Sequence, residues 1–285
     1  MLQVVEFAAN GLALGAIYAL VSMAITVIWA TSDVLDISSG AQATLAGVAA
    51  AAVGMPYGPV VGVAAGILTG TAIAGVFQVF HLRSTLKDPV PIILSTFAVL
   101  IIIESAILTV VGPEGVKLTV VTGVVELSGA IILISSLVAI ASAAASLVVV
   151  VLLLRFTPIG LNMRASAISE KSARLVGIAV RQTQTFAFLL GGVLVGIAGV
   201  VAAMMVGLSY SSPFTMTLAG LGGALLFGRK TPQAAFLGGM LIGLAETLGQ
   251  AYLPSGWSAG TSSLVILLVL ATSRNAAIAF SGARP

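Results

Sequence analysis

The chain has no cysteine and a single histidine, His81. Disulfides and thiol chemistry are excluded, and a nucleophile paired with an imidazole base has little from which to be built. A metal site at His81 needs companion ligands, and its neighbour Arg83 is not one. Charge is almost as scarce, at 7% of 285 residues. No polar stretch is long enough for a nucleotide-hydrolysing module. The net charge of +3 sits in short segments between apolar runs, so it reports topology and gives no indication of nucleic-acid binding.

What the chain does have is apolar surface: 59% of its residues are hydrophobic and the mean hydropathy is +1.19. A charge at the centre of a spanning helix costs about 2.5 to 3.5 kcal/mol, so repeated insertion into a bilayer demands this scarcity of ions. Runs of about 20 apolar residues favour helices over the roughly ten-residue alternating strands of a barrel. The fold class is therefore all-α, a single polytopic transmembrane domain over residues 1–285 with about eight or nine membrane segments. The start, Met-Leu-Gln-Val-Val-Glu-Phe, lacks the positive region of a cleavable signal, so the first span is expected to be retained.

That span is expected at Phe7–Ala30. A polar break at Thr31–Gly40 carries Asp33, Asp36, Ser38 and Ser39. The following Ala41–Val53 is rich in Ala, Gly and Val, poor in residues suited to lipid, and reads as a short or re-entrant helix buried in the bundle. Further spans are expected at Pro59–Phe80, Pro91–Val111, Ala130–Leu154, Thr183–Val206 and Pro232–Tyr252. A charged loop covers His81–Asp88, and a nearly balanced, external-looking linker covers Gly112–Ser128. Phe214–Phe227 is a second short, Gly-rich segment, and Gly260–Ala271 leads into a tail with Arg274 and Arg284. Counting both short segments as crossings gives about nine passes and an external N-terminus; treating the first as re-entrant gives about eight and an internal one. One polar-broken, small-residue helix in each half is the arrangement found where interrupted helices line a pathway, although close helix packing alone also selects Gly and Ala.

The long polar interlude is Thr157–Ile178. With its flanks it holds Arg155, Arg164, Lys171, Arg174 and Arg181 against one acid, Glu170, which is five of the chain's 12 Lys and Arg. Cations this dense keep a loop cytoplasmic. A capping Thr157, Pro158 at the first helical position and a stop at Gly177 predict one short helix between them. On such a helix Ala165, Ile168, Lys171 or Ser172, and Leu175 fall on roughly one face, suited to docking, while the plain reading is a loop wetted by water and head groups.

Three blocks then combine. They are Gly11-Leu-Ala-Leu-Gly-Ala-Ile-Tyr-Ala-Leu20; Pro158-Ile-Gly-Leu-Asn-Met-Arg-Ala-Ser-Ala167, continued by Ala173-Arg-Leu-Val-Gly-Ile178; and Gly222-Gly223 with Phe236-Leu-Gly-Gly-Met-Leu-Ile-Gly-Leu-Ala-Glu246. In this order and spacing the chain resembles the LivH-type permeases of branched-chain amino acid ABC importers, over essentially its whole length. The resemblance implies a permease in the bacterial inner membrane, paired with a LivM-like permease, two cytoplasmic ATPases of the LivG and LivF kind and a periplasmic or lipid-anchored binding protein. ATP and Mg would be held by the ATPases, with no cofactor on this chain. Arg164, Ala165, Ile168, Glu170, Lys171, Arg174, Leu175 and Gly177 would then belong to the ATPase-coupling segment. The chain departs from the family at Asp36-Ile37-Ser38-Ser39-Gly40, where Asn-Phe-Ala-His-Gly is common, and at Glu104, where Gln is usual. These departures leave the solute open.

Asp36, Ser38, Ser39, Gly40, Glu104, Gly222, Gly223 and Glu246 are the candidates for the translocation pathway. Glu104 and Glu246 are the acids well inside spans, where each needs a partner or a proton. Glu246 can instead hydrogen-bond a neighbouring helix, and Asp36, Ser38 and Ser39 can cap the helix that follows. The alternative function is a stand-alone transporter driven by an ion gradient, with Glu104 or Glu246 carrying the proton.

Overall fold

The computed structural model describes residues 2–32, 35–83, 89–120, 123–127, 130–227 and 231–252. In chain order the elements are α1 (Leu2–Ser32), α2 (Ser39–Tyr57), α3 (Pro59–Arg83), α4 (Pro89–Val110), β1 (Val124–Leu127), β2 (Ala130–Leu133), α5 (Ile134–Phe156), α6 (Pro158–Ile168), α7 (Glu170–Leu175), α8 (Val180–Met205), α9 (Ser212–Leu226) and α10 (Pro232–Tyr252). Six of these helices, α1, α3, α4, α5, α8 and α10, are long and apolar enough to cross a membrane. The protein is an all-α multi-pass bundle, with α2 and α9 as shorter elements inside it. The segment expected at Gly260–Ala271, the tail cations Arg274 and Arg284 and the turn Arg229-Lys230 lie outside the described residues.

α1 is the axis. Its apolar window is 89% buried, against 17% for α5 and 22% for α3 and α4. Apolarity does not distinguish it, since α5 is more apolar still; small residues do, by letting other helices reach it closely. A Cβ on Gly15 would lie 2.7 Å from the Met240 carbonyl oxygen, and one on Gly223 would lie 2.7 Å from the amide of Gly239 while also meeting the Ser22 hydroxyl. Gly239 in turn faces Ala19 backbone. α1, α9 and α10 therefore touch backbone to backbone, which is how helices associate when lipid gives no hydrophobic gradient between them. α8 is the second buried element, with Gly196 and Gly199 against α3 and α2.

Two expectations change. Ala130–Leu133 is not the start of a span: it pairs antiparallel with Val124–Leu127, Leu127 opposite Ala130 and Val124 opposite Leu133. β-branched residues suit a pleated edge, and α5 begins only at Ile134. α3 continues through Arg83, so His81 is helical and does not lie in the loop that follows.

The two ends of the bundle are marked by contacts. Leu118 of the linker bonds through its amide to the Ala203 carbonyl at 3.0 Å, and Val116 and Leu208 exchange a pair of bonds at 2.8 Å. Gly54, near the end of α2, also faces Leu118. At the opposite end the last turns of α1 meet α6 and the start of α10. α2 thus finishes at the far end from where α1 stops, with Gly54 against Leu118.

Candidate functional site

The polar segment forms two helices, where the sequence predicted one. Thr157 caps α6 as expected: its hydroxyl oxygen accepts from the Gly160 amide at 3.1 Å and donates to the Leu153 carbonyl at 2.6 Å. Gly160 lies against the Leu153–Leu154 backbone, so α6 can fold back onto the end of α5 only without a side chain there. The break comes at Ser169, extended at φ −160, ψ 113. Its hydroxyl oxygen accepts from the Ser172 amide at 3.2 Å, the local bond by which serine competes with helix continuation and starts a new one. α7 ends as predicted at Gly177, with φ +88. Its amide donates to the Arg174 carbonyl at 3.1 Å and that of Ile178 to the Ala173 carbonyl at 3.0 Å, the paired bonds of a glycine-closed terminus.

The break removes the shared face expected of one continuous helix for Ala165, Ile168, Lys171, Ser172 and Leu175. What replaces it is a divided surface. Gly160, Met163 and Ser166 of α6 and Ala173 of α7 are buried, and Ala165 is half-buried. Outward stand Arg164, Lys171 and Arg174, together with Ile168 at 87%, Leu175 at 82% and Val176 at 81% exposure. Val176 was missed by sequence reasoning because it follows the last helical residue, where periodicity no longer assigns a face. Glu170 is the first residue of α7. The arrangement is a capped seat carrying bulky apolar groups among cations.

The second cluster surrounds Asp36. Its carboxylate accepts from the Ser38 amide at 2.8 Å, the Ser38 hydroxyl at 2.6 Å, the Ser39 hydroxyl at 3.0 Å and the Gln42 side-chain amide at 3.0 Å. Asp36, Ser38, Ser39 and Gln42 are all buried, and the Ile37 amide reaches the Thr96 hydroxyl of α4 at 3.3 Å. The carboxylate thus gathers the residues at the start of α2 inside the bundle, while Ser38 at the N-cap makes no side-chain capping bond to the helix. Gln42 was missed because a lone glutamine in an Ala-rich helix has no sequence pattern to announce it. Gly40 meets the backbone of Thr217, so the two short helices, α2 and α9, cross at this point.

The remaining candidates are scattered. Gly222 and Gly223 are buried in α9, Gly223 at the crossing with α10. Glu246 is 5% exposed; it shares a side-chain hydrogen bond with Tyr18 of α1 and accepts from Gln250 at 3.3 Å. The helix-to-helix reading of Glu246 is thus realised. Glu104 is half-buried, beside the inward strip Leu100, Ile103 and Ile107 that packs on Ala41. Asp36, Ser38, Ser39 and Gly40 are brought together; Glu104 and Glu246 do not join them through any hydrogen bond among the described residues.

Comparison with known proteins follows from this geometry. Residues 7–272 match the family described as "Branched-chain amino acid transport system / permease component". Over 120 residues the chain is 30% identical to the "High-affinity branched-chain amino acid transport system permease protein LivH" of Escherichia coli K12, covering 41% of this chain and 38% of that protein. It is 32% identical over 128 residues to the "Autoinducer 2 import system permease protein LsrC" of Klebsiella pneumoniae, covering 41% and 37%. The chain thus spans less than two fifths of the length of these relatives. Its fold is similar to the solved structure "PsaBC from Streptococcus pneumoniae in complex with Fab", with a TM-score of 0.55 at 13% identity over 95% of this chain and 93% of that one.

Proposed function

The chain belongs to the branched-chain amino acid transport system permease family, and on that premise we propose that it is a membrane subunit of an ATP-driven ABC importer in a bacterial inner membrane. Its solute is a branched-chain amino acid or a related small polar or carboxylate compound. It lines the pathway together with a LivM-like permease, receives solute from a periplasmic or lipid-anchored binding protein, and is driven by two cytoplasmic ATPases of the LivG and LivF kind. ATP and Mg act on those ATPases, and this chain contributes position and movement without chemistry of its own.

The observation that carries this reading is the surface of α6 and α7. Each Å² of apolar area left in water forgoes about 25 cal/mol, and Ile168, Leu175 and Val176 leave theirs uncovered on a segment outside the spans. Bulky apolar groups ringed by cations suit a partner groove with an apolar floor and an acidic rim. The two caps and the glycine-closed end keep the seat stiff, and Met163, Ser166 and Ala173 root it in the bundle. A push on α6 is therefore passed to α5, α8 and the end of α1. By the positive-inside rule this end is cytoplasmic. The linker at 112–120, at the opposite end, is external.

Leu175→Asp is expected to insert normally but to lower both ATPase co-purification and solute uptake by roughly tenfold or more, the effect of placing a buried charge at an interface core. Full co-purification and uptake by this variant would sink the docking role. The purified chain alone in liposomes is expected to transport nothing. Gradient-driven uptake there would establish the ion-coupled alternative instead.

A further inference from the structure

A cavity of about 280 Å³ lies where the last turns of α1 and α5, the start of α10 and α6 converge. Its lining joins exposed cations to buried groups. Thr26 is fully buried, and its hydroxyl has no hydrogen-bond partner among the described residues. This is unusual within its own helix: Ser22, Thr31 and Ser32 each donate to the carbonyl four residues back, at 2.7, 2.9 and 2.7 Å. Val27, Val151, Leu154 and Met163 supply apolar walls. Arg155 and Arg164 complete the lining, and both are exposed.

Arg155 also belongs to a second surface. Its guanidinium stands 5.7 Å from the ring centroid of Phe156, which continues an outward strip of α5 formed by Val148, Val149 and Leu152. Exposed cations, an unpartnered hydroxyl donor and apolar walls are the three kinds of group that a phospholipid's phosphate, ester carbonyl and acyl chain require.

We propose that this cavity holds an anionic phospholipid of the adjoining leaflet. The phosphate rests on Arg155 and Arg164, the Thr26 hydroxyl donates to an ester carbonyl, and one acyl chain passes onto the exposed strip of α5. Basic pockets between spanning helices recognise anionic head groups in this manner. That the leaflet is the cytoplasmic one rests on the function proposed above. The lipid then forms part of the seat of α6, so the stiffness of the docking segment depends on membrane composition.

The test is native mass spectrometry of the full assembly in detergent containing equal phosphatidylglycerol and phosphatidylcholine. The wild type is expected to retain the anionic lipid preferentially. Arg155→Gln is expected to lower that preference about fivefold, the contribution of one surface cation, and Thr26→Val to lower retention of both lipids. Arg155 lies at the surface, so its variant reports even if Thr26→Val fails to fold. Unchanged preference in Arg155→Gln overturns the proposal, and displacement of the lipid by millimolar inorganic phosphate would reassign the cavity to a soluble anion. ATPase subunits are counted in the same spectra. Their loss from lipid-bearing wild type would refute the docking role and leave the lipid site standing, whereas lipid indifference with ATPases bound does the reverse.

Discussion

Asp36 shows how one residue sets the start of a helix inside a membrane protein. Four donors converge on its carboxylate, two of them from Ser38 and one each from Ser39 and Gln42. Removing the acceptor leaves the Ser38 amide and the Gln42 side chain buried without it, at a cost of about 1–3 kcal/mol. Asp36→Ala is therefore expected to unfold several degrees earlier in detergent, followed by intrinsic fluorescence, while Asp36→Asn keeps part of the loss back. An unchanged midpoint for the alanine variant would contradict a stabilising role for this cluster. The Asp-x-Ser-Ser spacing makes most of the cluster legible in sequence; Gln42 becomes visible only when α2 turns it back toward Asp36.

Among the elements, α9 depends on what it lacks. A side chain on Gly223 would meet the Gly239 backbone and the Ser22 hydroxyl together, and neither helix can retreat without uncovering α1. Gly223→Val is expected to cost about 1–3 kcal/mol through overpacking, seen as a lower yield of monodisperse protein by size-exclusion chromatography; wild-type behaviour would mean the crossing is looser than it is drawn. α7 is short, and its terminal bonds carry much of its definition. Gly177→Ala forces a Cβ into left-handed backbone at about 1–2 kcal/mol, so amides of residues 173–178 are expected to exchange with deuterium roughly tenfold faster while the spans remain protected, and equal exchange would refute the stop. The end of α7 was legible because Gly177 stands just past the C-cap Val176, where left-handed backbone closes a helix. The break at Ser169 was not, since serine is tolerated in helices and only its bond to Ser172 stops this one. The β1–β2 hairpin was hidden for another reason: Ala-Ile-Ile-Leu leads into an apolar span, and hydropathy alone does not separate strand from helix in so short a run.

For the whole molecule, the arrangement of ends fixes sidedness once one end is known. The cysteine-free sequence makes single-cysteine labelling direct. Lys171→Cys is expected to react with an impermeant maleimide only from the cytoplasmic side and Glu114→Cys only from outside, in intact cells compared with inverted vesicles. Labelling of both from the same side would contradict α5 as a crossing, and Lys171→Cys reacting from outside would remove the basis for ATPase docking.

The sequence by itself determined that this protein lives in a bilayer and roughly where it crosses. Those properties are sums over local composition, and the bilayer reads composition segment by segment. Only the tertiary structure decided that α1 is the buried axis, that α2 reaches the far end, and that Tyr18 answers Glu246. It also decided that an unsatisfied hydroxyl at Thr26 shares a cavity with two arginines. Each of these depends on which helices lie side by side, and pairing among near-uniform apolar helices is chosen by where glycines let backbones meet, a choice no single segment contains.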